Sequence, residues 1–171
     1  VQEISLKAMT WNVYLGGEIA KIIDTPPSIF PARVSELWRV VQLTDFRARA
    51  DAMAQVIARE YPDVLALQEV FRWSTVSQQG MAIPQEVVEY DFLALLLAAL
   101  EELGAAYFCA VQSPGVNLVL PLEQGGSVRL EDSVAILLKA GSSIEGLSWT
   151  NPRSARFNRN HRVKLNGEPF D

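Results

Sequence analysis

Residues 62–70, with the sequence PDVLALQEV, decide the fold of this chain. They form a nearly continuous apolar run that two polar residues, Gln68 and Glu69, interrupt only near its end. Such a run is typical of a strand that is covered on both faces of a sheet. Pro62 opens the run, and proline ends a preceding helix. The stretch therefore predicts a buried strand that directly follows a helix.

The helix before this strand has a clear apolar stripe. Thr44 or Asp45 can cap its start. Apolar side chains recur at helical spacing, and arginines and acids fill the other positions. The stripe consists of Phe46, Ala50, Met53, Ala54, Ile57 and Tyr61. The same kind of spacing predicts an earlier helix near residues 32–42, after a proline-rich loop.

The beginning of the chain supplies the other strand of this unit. Residues 4–13 alternate in their first half and are apolar in their second half, which predicts a strand with one deeply buried end. Gly16 and Gly17 end it. The order strand, helix, strand implies a right-handed βαβ unit, so the two strands are expected to be parallel neighbours.

The rest of the chain mixes helix and strand signals. Residues 71–90 contain several serines and glutamines, a glycine and a proline, and are predicted to form a long loop. Residues 91–103 are predicted to form a strongly apolar helix that Gly104 closes. Three strands are predicted next, at residues 107–112, 116–122 and 133–139, with Gly125 and Gly126 as the turn between the last two. Antiparallel neighbours therefore follow the parallel unit.

Bulk composition is that of a globular domain. The chain has 171 residues, of which 49% are hydrophobic and 20% charged, which is ordinary for one domain with a real core. Its longest unbroken apolar run, residues 92–100, is far shorter than the roughly 20 residues that cross a bilayer. No basic and then apolar leader follows Val1, so a signal peptide is expected to be absent or removed. The sequence does not decide the cellular compartment, and secretion with a removed signal peptide is one of the alternatives.

Charge and cysteine content bear on nucleic-acid binding and on disulfide formation. The formal charge of −5 argues against a nonspecific nucleic-acid binder, which usually presents a basic face. The single cysteine, Cys109, excludes an intrachain disulfide. Because it lies in an apolar run, we expect a small buried hydrophobe rather than a nucleophile or a ligand.

Two polar residues lie at the carboxyl ends of the predicted parallel strands. They are Asn12 and Glu69, and ligands bind at this edge of open α/β sheets. A buried carboxylate is costly unless it is paired or bound to a cation, and Mg²⁺ takes a few oxygen ligands from a protein. Glu69 is therefore a candidate metal ligand, and Asn12 is a neutral partner in the metal site for metal-bound water or phosphate. A solvated or salt-bridged Glu69 is the alternative.

Three segments resemble the endonuclease/exonuclease/phosphatase superfamily. Its first two motifs are similar to residues 10–13 (TWNV) and residues 62–70, with a helix that contains Arg47-Ala48-Arg49-Ala50 between them. Residues 128–138 (VRLEDSVAILL) resemble its third strand less closely. That likeness makes Asp132 a candidate residue at the edge of the site, and a plain acid at a strand start is the alternative.

The resemblance implies an α/β fold of the DNase I-like type, a two-sheet sandwich with a mixed sheet and outer helices. It also implies hydrolysis of phosphoesters with Mg²⁺ or Mn²⁺, in which Glu69 binds the metal and Asn12 helps to arrange the site. The family's later Asp-x-Asn motif and Asp-His pair do not occur in this sequence. We therefore expect residues 1–171 to be a single incomplete domain, inactive and marginally stable alone, with one apolar sheet face uncovered.

The parent protein is thus expected to be a Mg²⁺-dependent phosphoric ester hydrolase, with a phosphodiester as the favoured substrate. A shortened, noncatalytic module that keeps the fold for interaction is the alternative, and no partner protein is evident. The substrate could be a lipid headgroup, a small phosphodiester or a nucleic acid. The acidic charge favours the first two. So does Tyr14, because the family's apurinic-site nucleases commonly have an acid at that position.

The only histidine, His161, lies in the one basic segment of the chain. Its cationic neighbours are Arg153, Arg156, Arg159, Arg162 and Lys164. No acid precedes His161 as the family's Asp-His pair requires, so a solvated surface hairpin is expected. Contact of this segment with an anionic substrate is the alternative.

Overall fold

The computed structural model describes residues 5–77, 85–141, 151, 153–155, 163–165 and 168–170. The strands in these ranges are β1 (Ala8–Asn12), β2 (Val64–Gln68), β3 (Arg72–Ser77), β4 (Gln85–Asp91), β5 (Tyr107–Pro121), β6 (Ser127–Lys139), β7 (Val163–Leu165) and β8 (Glu168–Phe170). The helices are α1 (Phe30–Leu43), α2 (Phe46–Glu60) and α3 (Phe92–Glu102), with a short 3-10 helix at Ile19–Lys21.

Six of these strands form one mixed sheet. β1 and β2 are parallel, with Ala8 opposite Val64 and Asn12 opposite Gln68. β2 pairs antiparallel with β6, and β5 pairs antiparallel with β6 along nearly its whole length. β7 and β8 form a separate antiparallel pair. The α/β class with a mixed sheet and the parallel pairing of β1 with β2 are therefore confirmed.

One long strand, β6, creates a break in the sheet that later carries the site. Its residues 135–138 pair with β2, and its residues 127–131 pair with β3. Because β5 occupies the other side of β6 and both partners run antiparallel to it, β2 and β3 lie end to end. Residues 69–71 interrupt them, opposite the middle of β6.

Two of the three helices, α2 and α3, begin at a side-chain cap. Asp45, one of the two predicted caps, accepts a hydrogen bond from the Ala48 N–H at the start of α2. Asp91 does the same for α3 through the Ala94 N–H, at 3.0 Å. α2 ends at Tyr61 in a left-handed conformation directly before Pro62. All three predicted helices are confirmed, with bounds shifted by three residues or fewer.

All three helices contribute to one hydrophobic core together with the buried side chains of the sheet. Its largest fully buried members include Trp73, Phe46, Phe92, Ile57, Leu65, Leu130 and Leu137. Phe46 of α2 stacks on Phe92 of α3, with ring centroids 3.5 Å apart and an interplanar angle of 2°. Burial of such aromatic pairs fixes how α2 and α3 pack.

Three sequence predictions differ from the structure. The long loop at residues 71–90 contains two paired strands, β3 and β4. Its serines suggested a loop, but pairing with β6 holds β3 in the sheet and buries Ser74 completely. The separate strands at 107–112 and 116–122 are one strand, β5, which continues through Pro114 because two register shifts absorb the irregularity. β6 also starts earlier than expected, at Ser127.

The sheet keeps apolar side chains exposed in its two longest strands. Phe108, Val119, Val134 and Ile136 are 46%, 50%, 48% and 39% exposed. Val134 and Ile136 alternate with the buried Ala135 and Leu137 and therefore lie on the opposite face from the core. Within the part of the chain that the structure describes, this face therefore exposes apolar side chains.

Candidate functional site

The break between β2 and β3 turns Glu69 out of the regular ladder. Glu69 has a positive φ of 57°, a conformation that non-glycine residues rarely adopt outside turns and functional sites. The next residue rejoins β6, because the Val70 N–H donates to the Ser133 carbonyl at 2.9 Å. The Ser133 hydroxyl in turn donates to the Val70 carbonyl at 2.7 Å. These two hydrogen bonds with Ser133 therefore fix the backbone directly after Glu69.

Asn12 and Glu69 meet at this break, as the sequence predicted from their strand positions. Asn12 Nδ2 donates to Glu69 Oε1 at 2.8 Å. The Leu15 N–H donates to the other carboxylate oxygen, Oε2, at 2.9 Å. The Tyr14 N–H donates to Asn12 Oδ1, also at 2.9 Å. The Tyr14 N–H thus orients Asn12, and two neutral donors orient Glu69, whose carboxylate oxygens each accept one of these hydrogen bonds.

Arg49 of α2 holds the turn that supplies these two N–H groups. Its Nη1 donates to the Val13 carbonyl at 2.8 Å and to the Tyr14 carbonyl at 3.0 Å. Its Nε donates to the Thr44 carbonyl at 3.2 Å. Burial lowers the pKa of Arg49, whereas Tyr14 and Asp45 raise it. In the sequence, Arg49 stands out only as part of the segment Arg47-Ala48-Arg49-Ala50 that resembles the family, and no pattern there predicts this role.

Asp132 lies in the middle of β6, beside Ser133 and opposite the break. Burial raises the pKa of its carboxyl group, a hydrogen bond with the Ser133 backbone lowers it, and the charge of Glu69 raises it. Its Oδ1 is buried and has no hydrogen-bond partner among the described residues. Gly115 of β5 permits this arrangement, because a Cβ there would lie 2.8 Å from Asp132 Oδ2. The negative charge of Glu69 therefore acts on the Asp132 carboxyl group across the break.

A cavity of about 490 Å³ opens beside the break. Asp132, Gln112 and Arg72 contribute polar groups to its lining, and Leu93 and Leu97 of α3 contribute apolar groups. Arg72 is held there by Glu131, at 2.6 Å. The cavity is large enough for a small organic ligand.

The donor set at the break suits a hard divalent cation. Glu69 and Asn12 offer only oxygen ligands, and Mg²⁺ is usually bound by one or two carboxylates while water and phosphate fill its other positions. No group of three or more His, Cys, Asp or Glu side chains that could hold a metal occurs among the described residues. The site therefore fits a metal that takes few ligands from this part of the chain.

A comparison with protein-family models matches residues 9–141 to the Endonuclease/Exonuclease/phosphatase family. The chain belongs to this family. The match spans the strands of Asn12 and Glu69, the helix of Arg49 and the strand of Asp132. No curated protein and no solved structure matches the chain.

Membership of the Endonuclease/Exonuclease/phosphatase family makes this a phosphoesterase-like domain of the DNase I-like fold, and proteins of the family are generally hydrolases. No helix among the described residues is long and apolar enough to cross a membrane. His161, with Arg156, Arg159 and Arg162, lies outside the described residues. The prediction for this basic segment therefore stays a prediction.

Proposed function

We propose that the protein hydrolyses phosphodiesters with Mg²⁺ or Mn²⁺, and that Glu69 is a metal ligand. The observation that carries this proposal is the hydrogen bond between the Asn12 and Glu69 side chains at the carboxyl ends of two parallel strands. This edge is where α/β sheets bind ligands. The family match supports the same chemistry.

Each group at the break has a definite task in this proposal. Asn12 and the Leu15 N–H orient the Glu69 carboxylate toward the cation. The second Nδ2 hydrogen of Asn12 is available to a phosphate oxygen or a metal-bound water. When bound, Mg²⁺ supplies electrostatic stabilisation to the phosphoryl oxygens. Asp132 lies at the edge of the site, where burial raises the pKa of its carboxyl group.

The remaining catalytic groups are proposed to come from outside these 171 residues. The family's Asp-x-Asn motif and Asp-His pair would supply further metal ligands and the acid or base, and neither occurs in the sequence. We therefore propose that residues 1–171 are part of a larger domain and do not turn over substrate alone. Their acidic charge favours a lipid headgroup or a small phosphodiester over DNA as the substrate.

A noncatalytic module that keeps the fold for interaction is the second candidate. The absence of both late motifs from these 171 residues does not discriminate between the two candidates. The two candidates differ in what a full-length protein should do. An enzyme requires those motifs elsewhere in its chain, whereas a binding module does not.

Hydrolysis of bis-p-nitrophenyl phosphate with Mg²⁺ tests the proposal. The assay compares the full-length protein, its Glu69→Gln variant, residues 1–171, and Glu102→Gln as a control at an exposed helix position. We expect metal-dependent turnover that only Glu69→Gln and the 171-residue chain lose. Turnover that is unchanged in Glu69→Gln would refute the role of Glu69. A full-length protein without late motifs and without turnover would establish the noncatalytic module.

A further inference from the structure

Arg49 bonds the oxygen ends of two consecutive peptide groups whose N–H ends hold the site. The Val13 carbonyl shares a peptide group with the Tyr14 N–H, and the Tyr14 carbonyl shares one with the Leu15 N–H. Arg49 Nη1 donates to both carbonyls, at 2.8 and 3.0 Å. The two N–H groups donate to Asn12 Oδ1 and Glu69 Oε2. One guanidinium nitrogen is thus linked to each of the two site side chains by two hydrogen bonds with a peptide group between them.

We infer that Arg49 is a positioning residue that fixes Asn12 and Glu69 through these two peptide groups. The inference rests on the proposed function for its catalytic meaning, but the structural link is independent of it. A cation at a carbonyl polarises the peptide group and strengthens the hydrogen bond that its N–H donates. Arg49 therefore both orients the turn and strengthens the bonds to Asn12 Oδ1 and Glu69 Oε2.

The surroundings of Arg49 keep the guanidinium in one place. Its Cζ lies 4.8 Å from the ring centroid of Phe46, 5.5 Å from that of Tyr14 and 5.7 Å from that of Phe92. Three aromatic rings and three carbonyls thus surround one cation. Its Nη2 is buried without a hydrogen-bond partner among the described residues. The hydrogen bonds of Nη1 and Nε therefore fix the position of the guanidinium, although Nη2 remains unpaired among these residues.

The backbone conformation of the turn at residues 13–16 favours its contact with Arg49. Tyr14 has a positive φ of 60°, which points the two carbonyls of the turn toward Arg49. Gly16 follows with a φ of 101°, and a Cβ there would lie 3.4 Å from Arg49 Nη2 and 2.7 Å from Thr44 Oγ1. The Thr44 hydroxyl donates to the Gly16 carbonyl at 3.1 Å. The start of α2 and the turn after β1 are therefore locked together.

Lysine cannot reproduce this contact, because its ammonium is a flexible point charge without the planar fork of arginine. Arg47 provides a matched control two residues earlier on the same helix. It is exposed, donates to the Glu89 carbonyl at 3.2 Å and lies over the Tyr90 ring at 5.9 Å. Arg47→Lys and Arg49→Lys thus make the same chemical change, but only one alters the turn.

The test measures Mn²⁺ affinity by electron paramagnetic resonance and the hydrogen exchange of individual amides in the full-length protein. In the wild type we expect the Tyr14 and Leu15 amides to be protected. Arg49→Lys should speed their exchange and weaken Mn²⁺ binding by about 10-fold or more, as loss of outer-shell partners does. Arg47→Lys should leave both quantities unchanged, and β2 amides should stay protected in both variants.

Three outcomes overturn the inference. They are unprotected Tyr14 and Leu15 amides in the wild type, wild-type exchange at both amides in Arg49→Lys, and equal effects of the two lysine variants. The first needs no variant, so it decides even if Arg49→Lys does not fold. If the wild type binds no Mn²⁺ and matches Glu69→Gln, the proposed function fails. The exchange rates still decide whether Arg49 holds the turn.

Discussion

The two ends of strand β2 each carry an acid, and the two acids are held in opposite ways. Asp63 precedes β2, and its Oδ1 lies 2.7 Å from Lys139 Nζ. Its Oδ2 accepts from the Lys7 N–H at 2.9 Å. Glu69 follows β2 and accepts from Asn12 Nδ2 and the Leu15 N–H, both uncharged. No ion pair of Glu69 occurs among the described residues.

This contrast separates a structural acid from a candidate functional one. The charge of Asp63 is neutralised inside the fold, where the pair is largely shielded, with side-chain exposures of 12% and 19%. The charge of Glu69 is oriented but not neutralised, which leaves it for a cation from outside the fold. Neutralising each acid with its isosteric amide should therefore affect different properties of the protein.

The largest effect is expected for Glu69→Gln in the full-length protein. Loss of a metal-ligand charge should lower kcat/KM for bis-p-nitrophenyl phosphate at least about 100-fold, since loss of outer-shell partners alone costs about 10–100-fold. Stability should change little or rise, because no internal cation loses its partner. Steady-state kinetics and urea unfolding measure the two quantities. A large loss of stability without loss of activity would make Glu69 a second structural acid.

Asp63→Asn should produce the reverse pattern. The variant leaves Lys139 partly buried without its counter-charge, and we expect a loss of about 2 kcal/mol in the free energy of unfolding. Lys139 also lies over the Tyr61 ring, with Nζ 4.5 Å from the centroid, which should retain part of its interactions. Urea unfolding checks the loss. We also expect Asp63→Asn to bind Mn²⁺ with the affinity of the wild type. A weaker affinity would contradict the assignment of Asp63 as a purely structural acid.

Asn12→Ala tests the Glu69 end of β2 without changing the carboxylate itself. The substitution removes the donor to Glu69 Oε1 and the acceptor for the Tyr14 N–H. A less oriented carboxylate should bind Mn²⁺ about 10-fold more weakly. Titration of Mn²⁺ followed by electron paramagnetic resonance measures this, with Gln68→Ala as the control at the neighbouring position. An affinity that responds equally to both substitutions would deny Asn12 a specific role.

The sequence predicted the parallel strands and the meeting of Asn12 with Glu69, because both depend on local patterns. A buried strand needs an apolar run, and strand ends of parallel neighbours share an edge. The role of Arg49 was not predictable in the same way. Its partners are backbone carbonyls, which every residue has, so the sequence holds no pairing signal for it.

Strands β3 and β4 escaped prediction for a related reason. Their polar composition is that of a loop, and only pairing with β6 places Ser74 in a fully buried position. Such long-range pairing overrides local propensity. The position of Asp132 opposite the break follows from the same pairing. Its likeness to a family strand suggested the edge of a site, and the electrostatic influence of Glu69 on its pKa came from the tertiary fold.

The smallest effect is expected at the structural end of β2, for Tyr107→Phe. The Tyr107 hydroxyl donates to the Pro62 carbonyl at 2.7 Å, and its loss should cost about 1 kcal/mol near neutral pH. Burial, with smaller contributions from Tyr61 and Asp63, raises the pKa of Tyr107 to about 12. An acid whose pKa is higher in the folded state favours folding while it is protonated.

The pH dependence of this variant follows from that sign. The stabilisation from Tyr107 is complete below the unfolded pKa of about 10 and is lost as pH rises toward 12. The free energies of unfolding of wild type and Tyr107→Phe should therefore differ near neutral pH and converge in this alkaline window. Urea unfolding across that range measures the difference. A constant gap would mean that the phenol is not titrating inside the fold, whereas convergence would show that the Tyr107 hydroxyl stabilises the Asp63 end of β2 only while it is protonated.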